Sequence, residues 1–165
     1  MHKPIPLTIL ALALIVSCAR LLTVSAALEE VDVVVNKSNT IGPLSREEVR
    51  RIFVGEKSSW PGGKRITVLM LARDQPERGV ILRDVLKMNE SDYTKYFLQA
   101  AFTGHVQAAP KDLPSPAQMK AHLSANPNAI GYLAKQDVDD SIRVLLRLPQ
   151  LASTLARPSQ IGALR

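Results

Sequence analysis

Apolar positions along this chain change period several times, and each change marks an element. Val31-Asp32-Val33-Val34-Val35 is β-branched and almost unbroken, which predicts a buried strand. From Leu44 the period lengthens: Val49, Ile52 and Phe53 fall on one helical face, and Arg46, Glu47, Arg50 and Arg51 can face water. Ser45 with Glu48 three residues on forms a capping box, and Leu44 with Val49 forms a hydrophobic staple. Gly55 supplies the stop. After Pro61-Gly62-Gly63, the run Ile66 to Leu71 has strand length.

Arg73 to Gly79 then leads into a helix over Val80 to Leu86, with Pro76 suited to a first helical position and Asp74 or Gln75 to the cap. Gly79 is unusual in a first turn and is expected where backbone must approach something closely. Asn89 caps the next helix, with Met88 and Tyr93 as a second staple and Tyr93, Tyr96, Phe97, Ala100 and Ala101 as its apolar side. From Phe102-Thr103-Gly104-His105 to Pro114 no periodicity survives, so this segment is read as surface loop. Ser115 and Pro116 start a helix carrying Met119 and Leu123, which Asn126-Pro127 stops. Ala129 to Leu133 reads as a buried strand in which Gly131 admits a neighbouring backbone. Ile142 to Leu146 is a further strand candidate, and a short helix is expected after Pro149. Helices and strands alternate, which predicts one α/β domain.

The first 26 residues follow another logic. Lys3 precedes an apolar run from Ile5 to Val16, and Val24-Ser25-Ala26 suits a cleavage site. This reads as an export leader (1–26), followed by a domain (27–148) and an extension (149–165). Two alternatives stay open: a lipid anchor on Cys18, and a membrane segment retained from Ile5 to Leu28. The export reading makes the protein periplasmic.

Charge narrows the function classes only a little. The 165 residues carry 21 basic and 15 acidic side chains, a net +6. Cleavage after Ala26 leaves 139 residues without a cysteine, and with Lys3 and Arg20 gone the net charge is +4. That balance suits an anionic ligand or surface, or solubility alone. Nucleic acid is not expected, since export and the lack of a strong basic patch with exposed aromatics both oppose it. His105 and His122 lack metal-ligand spacing, and Asp137, Asp139 and Asp140 lack the graded ligands of a calcium loop. No nucleophile elbow, Walker loop or dinucleotide fingerprint occurs, so no enzyme, metal or cofactor is expected.

Two places could hold an anion. The polar run Asn36 to Thr40 follows a strand, where open α/β sheets bind ligands, although a plain turn explains it as well. Arg73 and Arg78 flank a helix start whose free N–H groups attract anions, or they pair with Asp74, Glu77 or Asp84.

Three segments together resemble the phosphate-binding proteins of ABC importers, and more closely their short single-lobe relatives: Val34 to Asn39 with Leu44 to Gly55 and Trp60, then Phe102-Thr103-Gly104 to Pro110, and Asn126 to Tyr132. The resemblance implies a single lobe of a type II periplasmic-binding-protein fold, with a mixed, mostly parallel sheet flanked by helices. It also implies transport rather than catalysis, a phosphate or related oxyanion as ligand, and a membrane or envelope protein as partner. The site residues it implies are Ser38, Asn39, Arg73, Gln75, Arg78, Gly79, Thr103 and Gly104. The family's Gly-Ser-Gly-Thr loop falls at Gln75 to Gly79, where this chain has Gln-Pro-Glu-Arg-Gly. That loses the hydroxyl donors, and Pro76 has no N–H. The alternative is therefore an interaction module that keeps the lobe without the ligand.

Overall fold

The computed structural model describes residues 30–104, 106 and 109–148. The leader, His105 and the extension after Leu148 lie outside the described residues. The order of elements is β1 (Val31–Asn36), α1 (Arg46–Phe53), β2 (Thr67–Leu71), α2 (Pro76–Val80), a π-helical stretch (Ile81–Leu86), α3 (Glu90–Phe102), β3 (Lys111–Leu113), α4 (Pro116–Ala125), β4 (Ala129–Ala134), a 3-10 turn (Lys135–Asp137) and β5 (Ile142–Leu148).

The strands form one sheet in the order β3-β2-β4-β1-β5. β2 runs parallel to β3 and β4, whereas β1 runs antiparallel to both β4 and β5. The sheet is mixed in equal parts, which corrects the expectation of a mostly parallel one. The reason is β1: it enters between β4 and β5 against their direction, and every residue in it is buried.

Local chemistry explains the elements. At α1 both halves of the capping box form, with Glu48 N–H donating to the Ser45 hydroxyl and Ser45 N–H to the Glu48 carboxylate. Val49, Ile52 and Phe53 are fully buried beneath it, each stabilising the fold by about 1.5–3 kcal/mol. Asn89 and Ser115 cap α3 and α4 through the N–H groups of Asp92 and Gln118. Trp60 is buried and its indole N–H donates to the Asn128 carbonyl, which ties the turn after α1 to the loop before β4.

Five expectations change. The segment before Pro114 holds a three-residue strand, β3, paired with β2; it is too short to show a period. The helix read over Val80 to Leu86 starts at Pro76 and widens to π geometry from Ile81. Gly131 lies against the Met119 thioether rather than a backbone, since a Cβ there would sit 2.4 Å from Sδ. Gly79 has nothing within 4 Å of where its Cβ would stand, so no close approach requires it. On α3, Tyr93, Phe97 and Ala100 are buried, whereas Ala101 is exposed. Among the described residues no helix is long and apolar enough to cross a membrane, and no three His, Cys, Asp or Glu side chains gather as metal ligands.

Candidate functional site

The sheet register decides which anticipated residues can meet. Val35 of β1, Ile130 of β4 and Val68 of β2 lie in one row, so β1 ends where β2 begins. Ser38 and Asn39 follow β1 and stand at that end. Arg73, Gln75, Arg78 and Gly79 follow β2 and stand at the other. The five residues of β2 separate the two ends by roughly 16 Å at about 3.3 Å per residue. Thr103 and Gly104 end α3, which is roughly 20 Å long at about 1.5 Å per residue, so they lie far from the Arg78 partner Glu90 at its start. The eight residues do not converge.

Ser38 and Asn39 serve a turn. The Ser38 amide and hydroxyl both donate to Asn36 Oδ1, at 2.8 and 2.7 Å. The Asn39 amide group donates to the Pro127 carbonyl and its oxygen accepts from Ile41 N–H. The Thr103 hydroxyl donates back to the Gln99 carbonyl, and Gly104 takes a left-handed φ of 70° to leave the helix. Gln75 is the N-terminal cap residue of α2, without a side-chain capping bond.

Arg78 is the centre of the other end. Its side chain is only 2% exposed, and four of its five N–H groups have acceptors within the chain. Nε and Nη2 donate to the two Glu90 oxygens at 3.0 and 2.7 Å, while Nη1 donates to the Leu71 carbonyl at 2.6 Å and to Asp112 at 2.9 Å. The guanidinium also stands 5.1 Å from the centre of the Tyr93 ring. Burial opposes its charge, but the hydrogen bonds to Glu90 and Asp112 outweigh that and hold the guanidinium above its ordinary value. Burial pushes the hydroxyls of Tyr93 and Tyr132 up, and Tyr132 accepts the Leu71 N–H beside this network.

The sequence carried a sign of this that spacing to an acid could not give. Arg78, Ile81, Leu82 and Val85 follow the i, i+3, i+4, i+7 rule, so the arginine falls on the apolar stripe. Its neighbour Glu77 is also buried, and Glu77 Oε2 has no hydrogen-bond partner among the described residues.

Outside this buried centre lies a recess of about 650 Å³, with Arg73, Arg83, Lys87 and Asn89 at its rim and Arg78, Gly79 and Glu90 in its wall. Arg73 is two-thirds exposed and shares Glu90 with Arg78, its Nε at 3.1 Å from Oε1, while its Nη2 donates to the Thr94 hydroxyl at 3.2 Å. Arg83 pairs through two hydrogen bonds with the buried carboxylate of Asp84. Lys87, in the left-handed region at φ 58°, makes no ion pair among the described residues.

No family model matches the chain. Its fold is similar to three solved structures. One, from Clostridium perfringens, is described as a phosphate ABC transporter substrate-binding protein with bound phosphate (TM-score 0.58, 16% identity, 71% of this chain and 44% of that one). The second is an ABC-type phosphate transport receptor from Vibrio cholerae (TM-score 0.51, 19% identity, 71% and 45%). The third is PstS from Borrelia burgdorferi (TM-score 0.54, 13% identity, 71% and 46%). The chain therefore has an α/β fold found within these receptors and spans less than half the length of each.

Proposed function

We propose that this chain is a periplasmic, non-enzymatic, solute-binding-like module in which one α/β lobe takes a small oxyanion, with phosphate the first candidate. The observation that carries the reading is the recess over α2 and α3, whose lining holds four cationic side chains and one carboxylate. The fold supports it, since a protein of similar fold holds phosphate. In this reading the leader over residues 1–26 exports the chain, residues 27–148 form the lobe, and a membrane permease or envelope protein is its partner.

The geometry divides the labour among the arginines. Arg78 gives four of its five N–H groups to Glu90, Asp112 and Leu71, so it holds the wall rather than the ligand. Arg73 and Lys87 stand at the rim and supply the charge. An incoming oxyanion would compete with Glu90 for Arg73, because a carboxylate and a phosphate use the same N–H donors. The engagement of Arg78 by Glu90 and Asp112 also favours a second reading, a ligand-free interaction module in which carboxylates of the chain fill the anion position.

Titration calorimetry of phosphate, sulfate and glycerol phosphate into the purified protein separates the readings. A saturable component of the heat that is lost in Arg73→Ala supports the solute-binding module. No heat from folded protein with any of the three sinks it and leaves the interaction module.

A further inference from the structure

We infer that a second oxyanion site, independent of the first, lies at the opposite end of β2, in the cavity where β2 and β3 begin. This cavity has a volume of about 160 Å³ and is lined by three cationic residues, Lys57, Arg65 and Lys111, with no carboxylate among the described residues that line it. Two hydroxyl-bearing residues, Ser58 and Thr67, complete its polar lining. Like charges around one small space repel, and an anion between them relieves that repulsion.

The neighbouring acids have partners of their own, although Glu48 also attracts Lys57 from outside the cavity. Glu56 pairs with Arg50 and Arg51, and Glu48 is held in the capping box of α1. Lys111 Nζ stands 3.3 Å from His122 Nε2, a ring nitrogen of a residue outside the cavity's lining.

The cavity is held by backbone, not by loose side chains. Ile66 N–H donates to the Ser58 carbonyl at 2.8 Å and Trp60 N–H to the Lys64 carbonyl at 2.8 Å, while Ser59 and Arg65 form an antiparallel bridge. That turn fixes Ser58 and Arg65 on one wall. Thr67 N–H donates to the Asn128 carbonyl, which anchors the entry of β2. Gly55 lets the facing wall close: a Cβ there would stand 2.6 Å from Val106 Cγ1. The space and the donors suit a phosphate- or sulfate-class group, and they leave little room for a larger body.

The test is NMR titration of inorganic phosphate into the isotope-labelled full chain, with sulfate as a competitor. Expected are saturable shifts of the Lys57, Ser58, Thr67 and Lys111 amides, and at least a tenfold weakening of that response in Arg65→Glu and in Lys111→Glu. Both side chains are exposed, so these variants leave the core intact. Arg73→Ala should leave the response unchanged, which separates this site from the recess over α2 and α3. Shifts confined to residues 73–90, or none, would overturn the second site whatever happens at the first. Equal shifts in the charge-reversed variants would overturn it as well.

Discussion

The two ends of β2 handle positive charge in opposite ways. Beyond Leu71, Arg78 is withdrawn from water and almost every donor it has meets an oxygen of the chain itself. Before Thr67, Lys57, Arg65 and Lys111 line a cavity with no acid among its described lining residues. The first arrangement carries stability and the second carries unsatisfied attraction. Charge on a cavity wall is therefore a poor guide to binding until the partners of each cation are counted. An arginine completed from within offers a ligand only what the ligand can take from Glu90 or Asp112.

The sharpest way to break this contrast is Arg78→Ala. It strands two carboxylates and the Leu71 carbonyl and removes the cation beside Tyr93. Breaking a buried ion pair costs about 3–5 kcal/mol. Asp112 is more than half exposed and will rehydrate, so the lower end, about 3 kcal/mol, is expected. Urea denaturation measures it, and a loss under about 1 kcal/mol would show that the network does not hold the fold. The matching perturbation at the other end is Gly55→Ala, which combines a left-handed φ of 82° with a collision against Val106. About 2 kcal/mol is expected, since left-handed backbone alone costs a non-glycine residue about 1–2 kcal/mol. Gly62→Ala is the control, because its φ is 92° and nothing lies within 4 Å of the added Cβ. Equal losses in the two variants would mean that the Val106 contact contributes nothing.

Glu90→Gln sharpens the comparison from the ligand side. The amide keeps the shape of the carboxylate but lowers its hold on Arg73 and Arg78. Phosphate should then bind at least tenfold more tightly at the recess over α2 and α3, about 1.4 kcal/mol. Affinity at the β2 entry should not move. Calorimetry on Glu90→Gln, with and without Arg65→Glu, resolves the two sites, and an unchanged recess affinity would show that Glu90 does not compete for the anion.

What the sequence revealed follows the range of the interactions. The capping box at Ser45, the caps at Asn89 and Ser115 and the buried run of β1 are settled within a few residues, and all stand in the fold. The direction of β1 is settled by pairing with β4 and β5, about 100 residues away, and no local period encodes it. The same limit governs the site. Ser38 and Asn39 follow a strand, as ligand loops often do, but β1 is reversed and they stand at the end of the sheet opposite Arg73 and Arg78. Arg78 had Glu90 twelve residues ahead and Asp112 thirty-four ahead, beyond any spacing rule. Its place on the stripe with Ile81, Leu82 and Val85 was the legible sign. The β2-entry cavity draws its cations from three separate segments and could be assembled only in three dimensions.

The smallest effect concerns Asp139, an acid that the fold places at the β2-entry end of the sheet, where Ile142 pairs with Asn36. Hydrogen bonds from the Ser141 hydroxyl, then its amide, then Lys120 hold this carboxyl down to about 2, against an ordinary 3.8. A depressed carboxylate contributes fully above its unfolded value, and the contribution is lost as pH falls through the folded one. The window is therefore about pH 4 down to pH 2. Ser141→Ala removes the hydroxyl's hydrogen bond, the largest single hold, and should raise the Asp139 value while the backbone amide at 141 goes on donating; Lys120→Ala should raise it too, and carboxyl-carbon NMR across that range reads both. Because Asp139 is engaged by Ser141 and Lys120, it should not neutralise Lys57, Arg65 or Lys111. Lys120→Ala should accordingly leave phosphate shifts at the β2 entry unaltered. A weakened response there would mean that the released Asp139 had reached those cations, and that the contrast between the two ends depends on this one ion pair.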